Sequence, residues 1–204
     1  MVVPCLVIDA YIAPGSDMTQ DNFIEQINWV NFVYGVPLQG NQSPNPCRLD
    51  IRWRFRNAQG TPVMAPLTGP IVNENVFPCA PFELLDPYFQ AWLNYRPTGP
   101  GPFGGTNTRD IAVYFVKGPL IAPAIGCAPF ITPNGPAIVI SNAPSGFLRS
   151  GQTLAHELGH TLGLAHVDDR NNLMFGGTPS LESYRLTSEQ CNIVSSSPHF
   201  QSCP

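Results

Sequence analysis

Residues 153–175 read TLAHELGHTLGLAHVDDRNNLMF, and the eleven positions 156–166, HELGHTLGLAH, hold three of the four histidines in a chain of 204 residues. Side chains four apart on a helix lie one above the other, so His156 and His160 can present two imidazoles to one point. Gly163, with no Cβ to resist a left-handed conformation, can end that helix and turn the chain back, which brings His166 to the same point. Three neutral imidazoles leave one position of a tetrahedral zinc open, as in catalytic sites; structural sites are closed by four protein ligands. Glu157 is the next residue round the helix, not needed as a ligand and placed to take a proton from water. The short H-E-x-x-H string alone is a moderate signal, and Gly163 and His166 make it a strong one.

These residues resemble the signature of the metzincin clan of zinc endopeptidases, H-E-x-x-H-x-x-G-x-x-H followed by a methionine-containing turn. Asn172, Leu173 and Met174 continue the likeness, with Met174 eight residues beyond His166, a short spacing similar to that of the matrixin branch. The resemblance implies that Met174 lies beneath the metal as a hydrophobic floor; taken alone it would read as an ordinary core methionine. Where the astacin and serralysin branches carry a tyrosine two residues after the methionine, this chain has Gly176, so no tyrosine is expected at the metal. The specific match covers residues 149–175, and upstream of it only the order of elements is similar.

A hydrophobic content of 43% suits one globular domain with a substantial core, and a net charge of −4 with a single lysine, Lys117, excludes the basic face of a nucleic-acid binder. The 23 prolines and 18 glycines predict long, defined loops. Six cysteines without a C-x-x-C pair read as disulfides, hence an oxidising compartment. The alternative is a cytosolic protein with six free thiols. Cys191 and Cys203 are close enough in sequence for the tail to fold back and be pinned, so they are expected to pair. The first residues lack the basic start of a signal peptide, and no apolar run approaches the roughly 20 residues of a membrane span. These features predict a secreted, mature domain whose leader and any pro-segment lie outside this chain.

Residues 6–12 form an apolar run broken only by Asp9, as in a strand buried on both faces. A helix follows from Thr19, with Phe23, Ile24, Ile27, Val30 and Val33 at helical spacing, stopped by Gly35 and Pro37. Residues 49–56 alternate Ile51, Trp53, Phe55 with Arg52, Arg54, Arg56, a half-buried strand whose arginine stripe reads as a solvated face. Residues 60–81 are too rich in proline for a regular element. Residues 83–95 suggest a short helix interrupted early by Pro87, and 96–107 a surface loop. The tetrapeptide CAPF at 79–82 and again at 127–130 reads as chance. Strands are expected at 111–116 and 137–141. Residues 125–131 lie between them as either an edge strand or a disulfide-tied loop, because Gly126, Cys127 and Pro129 are poor strand formers. Thr187 and Gln190 read as a capping box opening a last helix. His199 is expected on the surface. Asp168, Asp169, Asn171 and Asn172 could supply oxygens to calcium, but a polar turn is the simpler account, so calcium is possible and not indicated.

The expected fold is α+β and metzincin-like. One catalytic domain spans 1–204: an N-terminal lobe, 1–165, with a twisted, mostly parallel sheet, an antiparallel edge strand and the zinc helix, and a small irregular C-terminal lobe, 166–204. The resemblance implies a secreted, monomeric zinc endopeptidase with one catalytic zinc on His156, His160 and His166. It implies Glu157 as general base and then acid, and a protein or peptide as substrate. Gly126 and Ala128 on the edge strand and Phe175 beside the pocket are the expected substrate contacts. The pocket wall, 175–183, has no charge before Glu182, which predicts an apolar or small residue after the cleaved bond. The rival is a non-catalytic secreted binding module with a structural zinc, against which the intact Glu157 argues; metal-assisted hydrolysis of a non-peptide amide is a second enzymatic alternative.

Overall fold

The computed structural model describes residues 4–12, 16, 18–37, 41–55, 79–94, 109–116, 120, 125–141, 147–177 and 183–202. Its centre is a sheet built from β1 (Pro4–Ile12), β2 (Asp50–Phe55), β3 (Ile111–Val116), β4 (Gly126–Thr132), β5 (Gly135–Ser141) and β6 (Gln201–Ser202), with strand order β2-β1-β3-β5-β4. Neighbours along that path are parallel except β4, which runs antiparallel to β5 and forms the edge. β6 pairs antiparallel with Pro4 and Cys5, at the start of β1 before β3 begins. The fold is thus α+β, with the mostly parallel sheet and antiparallel edge strand expected.

The largely apolar runs of β1, β3 and β5 are explained by burial on both faces. Leu6, Ile8, Ile111, Val113, Phe115, Ile138 and Ile140 point to one face, where α1 (Gln20–Val33) contributes Phe23, Ile27, Val30 and Val33. Tyr11, Tyr114 and Val139 point to the other, under Leu85, Phe89 and Leu93. Tyr11 and Tyr114 stack there with ring centroids 5.0 Å apart. Thr19 caps α1 by accepting the Asn22 N–H at 3.2 Å, as its place before the first apolar residue predicts.

Several expectations change. Pro87 does not interrupt a helix; it opens α2 (Pro87–Leu93), where its missing N–H costs nothing, and the Asp86 carboxylate accepts the Tyr88 N–H at 2.8 Å. A 3-10 turn, Phe82–Leu84, precedes it. The first residues of the two CAPF tetrapeptides, Cys79 and Cys127, form a disulfide. Residues 126–132 are therefore both things proposed for them, a strand and a disulfide-tied segment, with a bulge between Cys127 and Phe130. Cys191 bonds Cys47 rather than Cys203. Cys5 is also disulfide-bonded, and no described cysteine is free. His199 is half-buried, and burial lowers its pKa, helped by Arg109. Residues 56–78, 95–108 and 178–182, with the expected loops and much of the pocket wall, lie outside the described residues, as does the Arg54 side chain; Arg52 pairs with Asp50 at 3.1 Å.

The last helix, α4 (Ser188–Ser195), starts at the predicted capping box: Thr187 Oγ1 accepts the Gln190 N–H, and Gln190 Oε1 accepts the Thr187 N–H. Asn45 ties the segment before α4 to α1. Its Nδ2 donates to the Val33 and Tyr184 carbonyls, each at 2.7 Å, while its Oδ1 accepts the Leu186 N–H at 2.7 Å. Among the described residues no helix is long and apolar enough to cross a membrane.

Candidate metal centre

The helix α3 (Phe147–Thr161) buries Leu154, Ala155 and Leu158 against the sheet. Tyr34, at the end of α1, donates its hydroxyl to the Ala155 carbonyl at 2.8 Å and holds the helix from that side. His156, Glu157 and His160 fall on the remaining faces. The helix ends in a Schellman motif: Gly163 N–H bonds the His160 carbonyl at 3.0 Å and Leu164 N–H the Gly159 carbonyl at 2.9 Å, with Gly163 at φ +100°. A side chain with a Cβ would be strained there.

This reversal brings His166 back over the helix. The three Nε2 atoms form a nearly equilateral triangle: His156 to His160 3.1 Å, His156 to His166 3.2 Å, His160 to His166 3.0 Å. Ligands about 2.0–2.1 Å from a tetrahedral zinc stand about 3.3 Å apart, so the spacing fits that ion closely. The ring tautomers fit as well. His156 Nδ1 meets the Leu173 carbonyl at 2.6 Å and His160 Nδ1 meets the Leu164 carbonyl at 2.8 Å, and a carbonyl can only accept. Both rings therefore carry their proton on Nδ1 and turn an Nε2 lone pair inward. Converging lone pairs at 3 Å repel one another unless a cation lies between them. These three residues could hold a metal, and the carbonyls of Leu164 and Leu173 are the outer partners that orient such ligands.

Burial lowers the His156 pKa to about 4, with His160 and His166 adding to the effect and the Leu173 bond opposing it. His160 is lowered for the same first reason, partly offset by its bond to Leu164. At both positions burial favours the neutral, metal-ready imidazole. Glu157 is only 7% exposed, and burial raises its pKa to about 8. Its carboxylate has no hydrogen bond or ion pair with any described residue, so nothing but solvent and a nearby cation would stabilise its charge.

Glu157 is hemmed in by the edge strand. A Cβ placed on Gly126 would lie 2.6 Å from Glu157 Cγ, 2.7 Å from its Oε1 and 2.8 Å from Thr153 Cγ2. Gly126 therefore meets the carboxylate directly. Ala128 is half-buried and packs against the core beyond it. On the other side of the histidines, Met174 is fully buried and its Sδ would lie 2.5 Å from a Cβ on Gly159, so the thioether presses on the helix between His156 and His160.

The turn carrying Met174 is held at several points. Val167 N–H bonds the Met174 carbonyl at 2.9 Å, and Leu173 N–H bonds the Arg185 carbonyl at 2.8 Å. Phe175, half-buried, bridges to Val167. Asn172 Oδ1 accepts the Met174 N–H at 2.9 Å, and the Asn172 and Gln190 amides bond each other reciprocally at 2.9 and 3.2 Å. With both ends of its amide engaged inward, Asn172 belongs to a polar turn rather than to a cation site. Asp169, accepting the Asn171 N–H at 3.0 Å, completes that turn.

Sequence reasoning named the three histidines, Glu157, Met174, Gly126, Ala128 and Phe175. It missed Thr153, Gly159, the Leu164 and Leu173 carbonyls and the Asn172–Gln190 pair. Gln190 was legible as a capping residue, but nothing in its spacing from Thr187 announces the bond to Asn172.

No family model matches the sequence, and no curated protein does. Solved structures do resemble it. Metalloproteinase-II from Bacteroides fragilis superposes with a TM-score of 0.56 at 16% identity, over 94% of this chain and 52% of that one. A zinc-dependent peptidase from Methanocorpusculum labreanum gives 0.53 at 14% identity, over 92% and 99%. Archaemetzincin from Methanopyrus kandleri gives 0.51 at 16% identity, over 94% of each. This chain spans about half the length of the Bacteroides protein and nearly all of the other two. At such identities the likeness is one of fold.

Proposed function

We propose that this chain is a secreted zinc-dependent endopeptidase of metzincin type, in which His156, His160 and His166 hold one catalytic zinc and Glu157 is the general base. The observation that carries the reading is the triangle of Nε2 atoms, 3.0–3.2 Å on a side, with two of its tautomers fixed by backbone carbonyls. The fold shared with metallopeptidases supports it, and the disulfides support an oxidising, extracellular setting. When bound, zinc supplies Lewis acidity toward water and toward a scissile carbonyl.

The chain's own residues do the rest. Glu157 takes the proton of the attacking water as the new C–O bond forms, and returns it to the amine nitrogen as the C–N bond breaks. Burial raises its pKa in the metal-free protein, and a bound cation would favour the charged form that accepts the proton. Met174 packs under the histidines and keeps their helix face dry. An extended peptide lies along β4, the edge strand of the sheet, near Gly126 and Ala128, and Phe175 borders the pocket for the residue after the cleaved bond.

The rival, a binding module with zinc as a staple, leaves the buried and unpaired Glu157 unexplained, since a staple needs no such costly carboxylate. Three measurements decide. Metal analysis should give about one zinc per chain. Labelled casein should be cleaved, and chelation should stop it. Glu157→Ala should keep its zinc and lose cleavage. A zinc-loaded wild type that cleaves neither casein nor a mixed peptide library would leave the rival standing.

A further inference from the structure

We propose that Gly126 is a positioning residue for Glu157: the edge strand comes to the helix without a side chain at this point so that its backbone can serve as a wall for the carboxylate. The inference rests on Glu157 as the general base. It extends the expected role of Gly126 as a backbone contact for substrate, because it assigns to this glycine a part in the proton transfer.

The geometry is specific. Gly126 opens β4, where it pairs with Ile140 of β5, and the Ser141 N–H bonds the carbonyl of the preceding Ile125 at 3.0 Å. Cys127, next in the strand, is fixed to Cys79. The strand cannot easily retreat from the helix. Thr153 and Glu157 stand one helical turn apart on the face of α3 that meets it. A methyl group added at Gly126 would wedge between them, 2.7 Å from Glu157 Oε1 and 2.8 Å from Thr153 Cγ2. Ordinary contact begins near 3.4 Å, so the carboxylate would be driven away by at least about 0.7 Å. The obstructing atoms are Glu157 Cγ, the nearest at 2.6 Å, Glu157 Oε1 and Thr153 Cγ2, all of them side chain and none backbone, so the fold can absorb the change by moving Glu157. The three atoms nearest that methyl belong to Glu157 and Thr153, and none to a histidine. The consequence is selective: proton transfer suffers while the metal ligands stay in place. Displacements of about 1 Å in a reacting group cost on the order of 100-fold in rate.

The test uses the zinc-loaded protein and a quenched fluorescent peptide chosen from its casein cleavage sites, with zinc affinity read by chelator competition. Gly126→Ala should lower kcat about 10- to 100-fold, with KM and zinc affinity within about threefold of wild type. Adding Thr153→Ser, which vacates the methyl's other neighbour, should recover about fivefold or more of that kcat. Unfolding of the chelated protein gives a readout independent of activity: Gly126→Ala should destabilise the wild type and cost clearly less in a Glu157→Ala background, where the two contacts to Glu157 are gone and only that to Thr153 remains. That comparison also serves if Gly126→Ala alone does not fold. A Gly126→Ala protein with wild-type kcat, or equal destabilisation in both backgrounds, overturns the proposal. Glu157→Gln assayed beside it separates the two levels. If Glu157→Gln is dead while Gly126→Ala is fully active, only the positioning role falls; if Glu157→Gln is active, the general base itself has been misassigned.

Discussion

Replacing the Asn172–Gln190 amide pair by apolar residues of similar shape should reveal a coupling between the last helix and the metal centre. The pair is buried and makes two mutual hydrogen bonds, and each member also satisfies a backbone donor: Asn172 Oδ1 takes the Met174 N–H, and Gln190 Oε1 takes the Thr187 N–H. Asn172→Leu strands the buried Met174 N–H and half of the Gln190 amide, for a cost of about 3–4 kcal/mol. Gln190→Met strands the Asn172 amino group and breaks the capping box, but Thr187 is exposed and water can reach its N–H, so about 2 kcal/mol is expected. The double variant removes both sides of the shared bonds and should cost about 1–2 kcal/mol less than the sum. Urea unfolding of the chelated protein measures this without metal linkage. Additivity within about 0.3 kcal/mol would refute the coupling. A second readout follows from Leu173, which lies between Asn172 and Met174 and accepts His156 Nδ1–H. Asn172→Leu should weaken zinc binding by about 10-fold or more. Unchanged affinity would mean that the backbone bonds Leu173 to Arg185 and Val167 to Met174 hold the turn by themselves.

Two further predictions concern stability. In the metal-free protein, Glu157 has a folded pKa raised from 4.5 to about 8, so stability present below pH 4.5 is lost as pH rises to 8, whereas His156, lowered from 6.5 to about 4, loses stability as pH falls across that lower window. The two oppose each other between 4.5 and 6.5, and above 6.5 only Glu157 acts. The chelated wild type should therefore lose about 1.5 kcal/mol, or roughly 5 °C in Tm, between pH 6.5 and 8, and chelated Glu157→Gln should not; equal declines in both by calorimetry would contradict the assignment. The Cys47–Cys191 disulfide closes 144 residues and pins α4 to the loop that follows α1, so the double replacement by serine should cost about 2–5 kcal/mol in urea unfolding, and a loss below about 1 kcal/mol would show that Asn45 alone secures this junction.

What was legible in the sequence is what depends on local spacing. The i, i+4 pair of His156 and His160, the Gly163 turn and the Thr187 capping box are each complete within a few residues, and each stands where expected. The runs 111–116 and 137–140 are almost wholly apolar because the sheet is covered on both faces, and that burial is written into them residue by residue. Disulfide partners are not written this way. Cys47 and Cys191 meet because α4 returns to the end of α1, a consequence of the whole fold, and the close spacing of Cys191 and Cys203 misleads. The Cys79–Cys127 bond likewise joins segments that only the edge position of β4 brings together.

Several roles at the centre escape sequence reasoning because they consist in being small or in offering backbone. Gly159 admits Met174 against the helix, Gly126 lets the edge strand reach Glu157, and Leu164 and Leu173 orient two imidazoles through carbonyls that any residue would supply. An amphipathic pattern read along α3 says which face is apolar, but not that strand and turn close on the polar face from opposite sides. That closure gives the site its chemistry. A helix bearing H-E-x-x-H in water would have a titrating imidazole pair and an ordinary carboxylate. Between β4 and the Met174 turn, the same residues become neutral imidazoles with fixed tautomers beside a carboxyl held near neutral pKa. Each shift has burial as its first cause, and at Gly126 and Gly159 the close packing that helps produce it needs a residue without a Cβ. The motif supplies the reacting atoms; the glycines facing it decide how closely the rest of the protein can hold them.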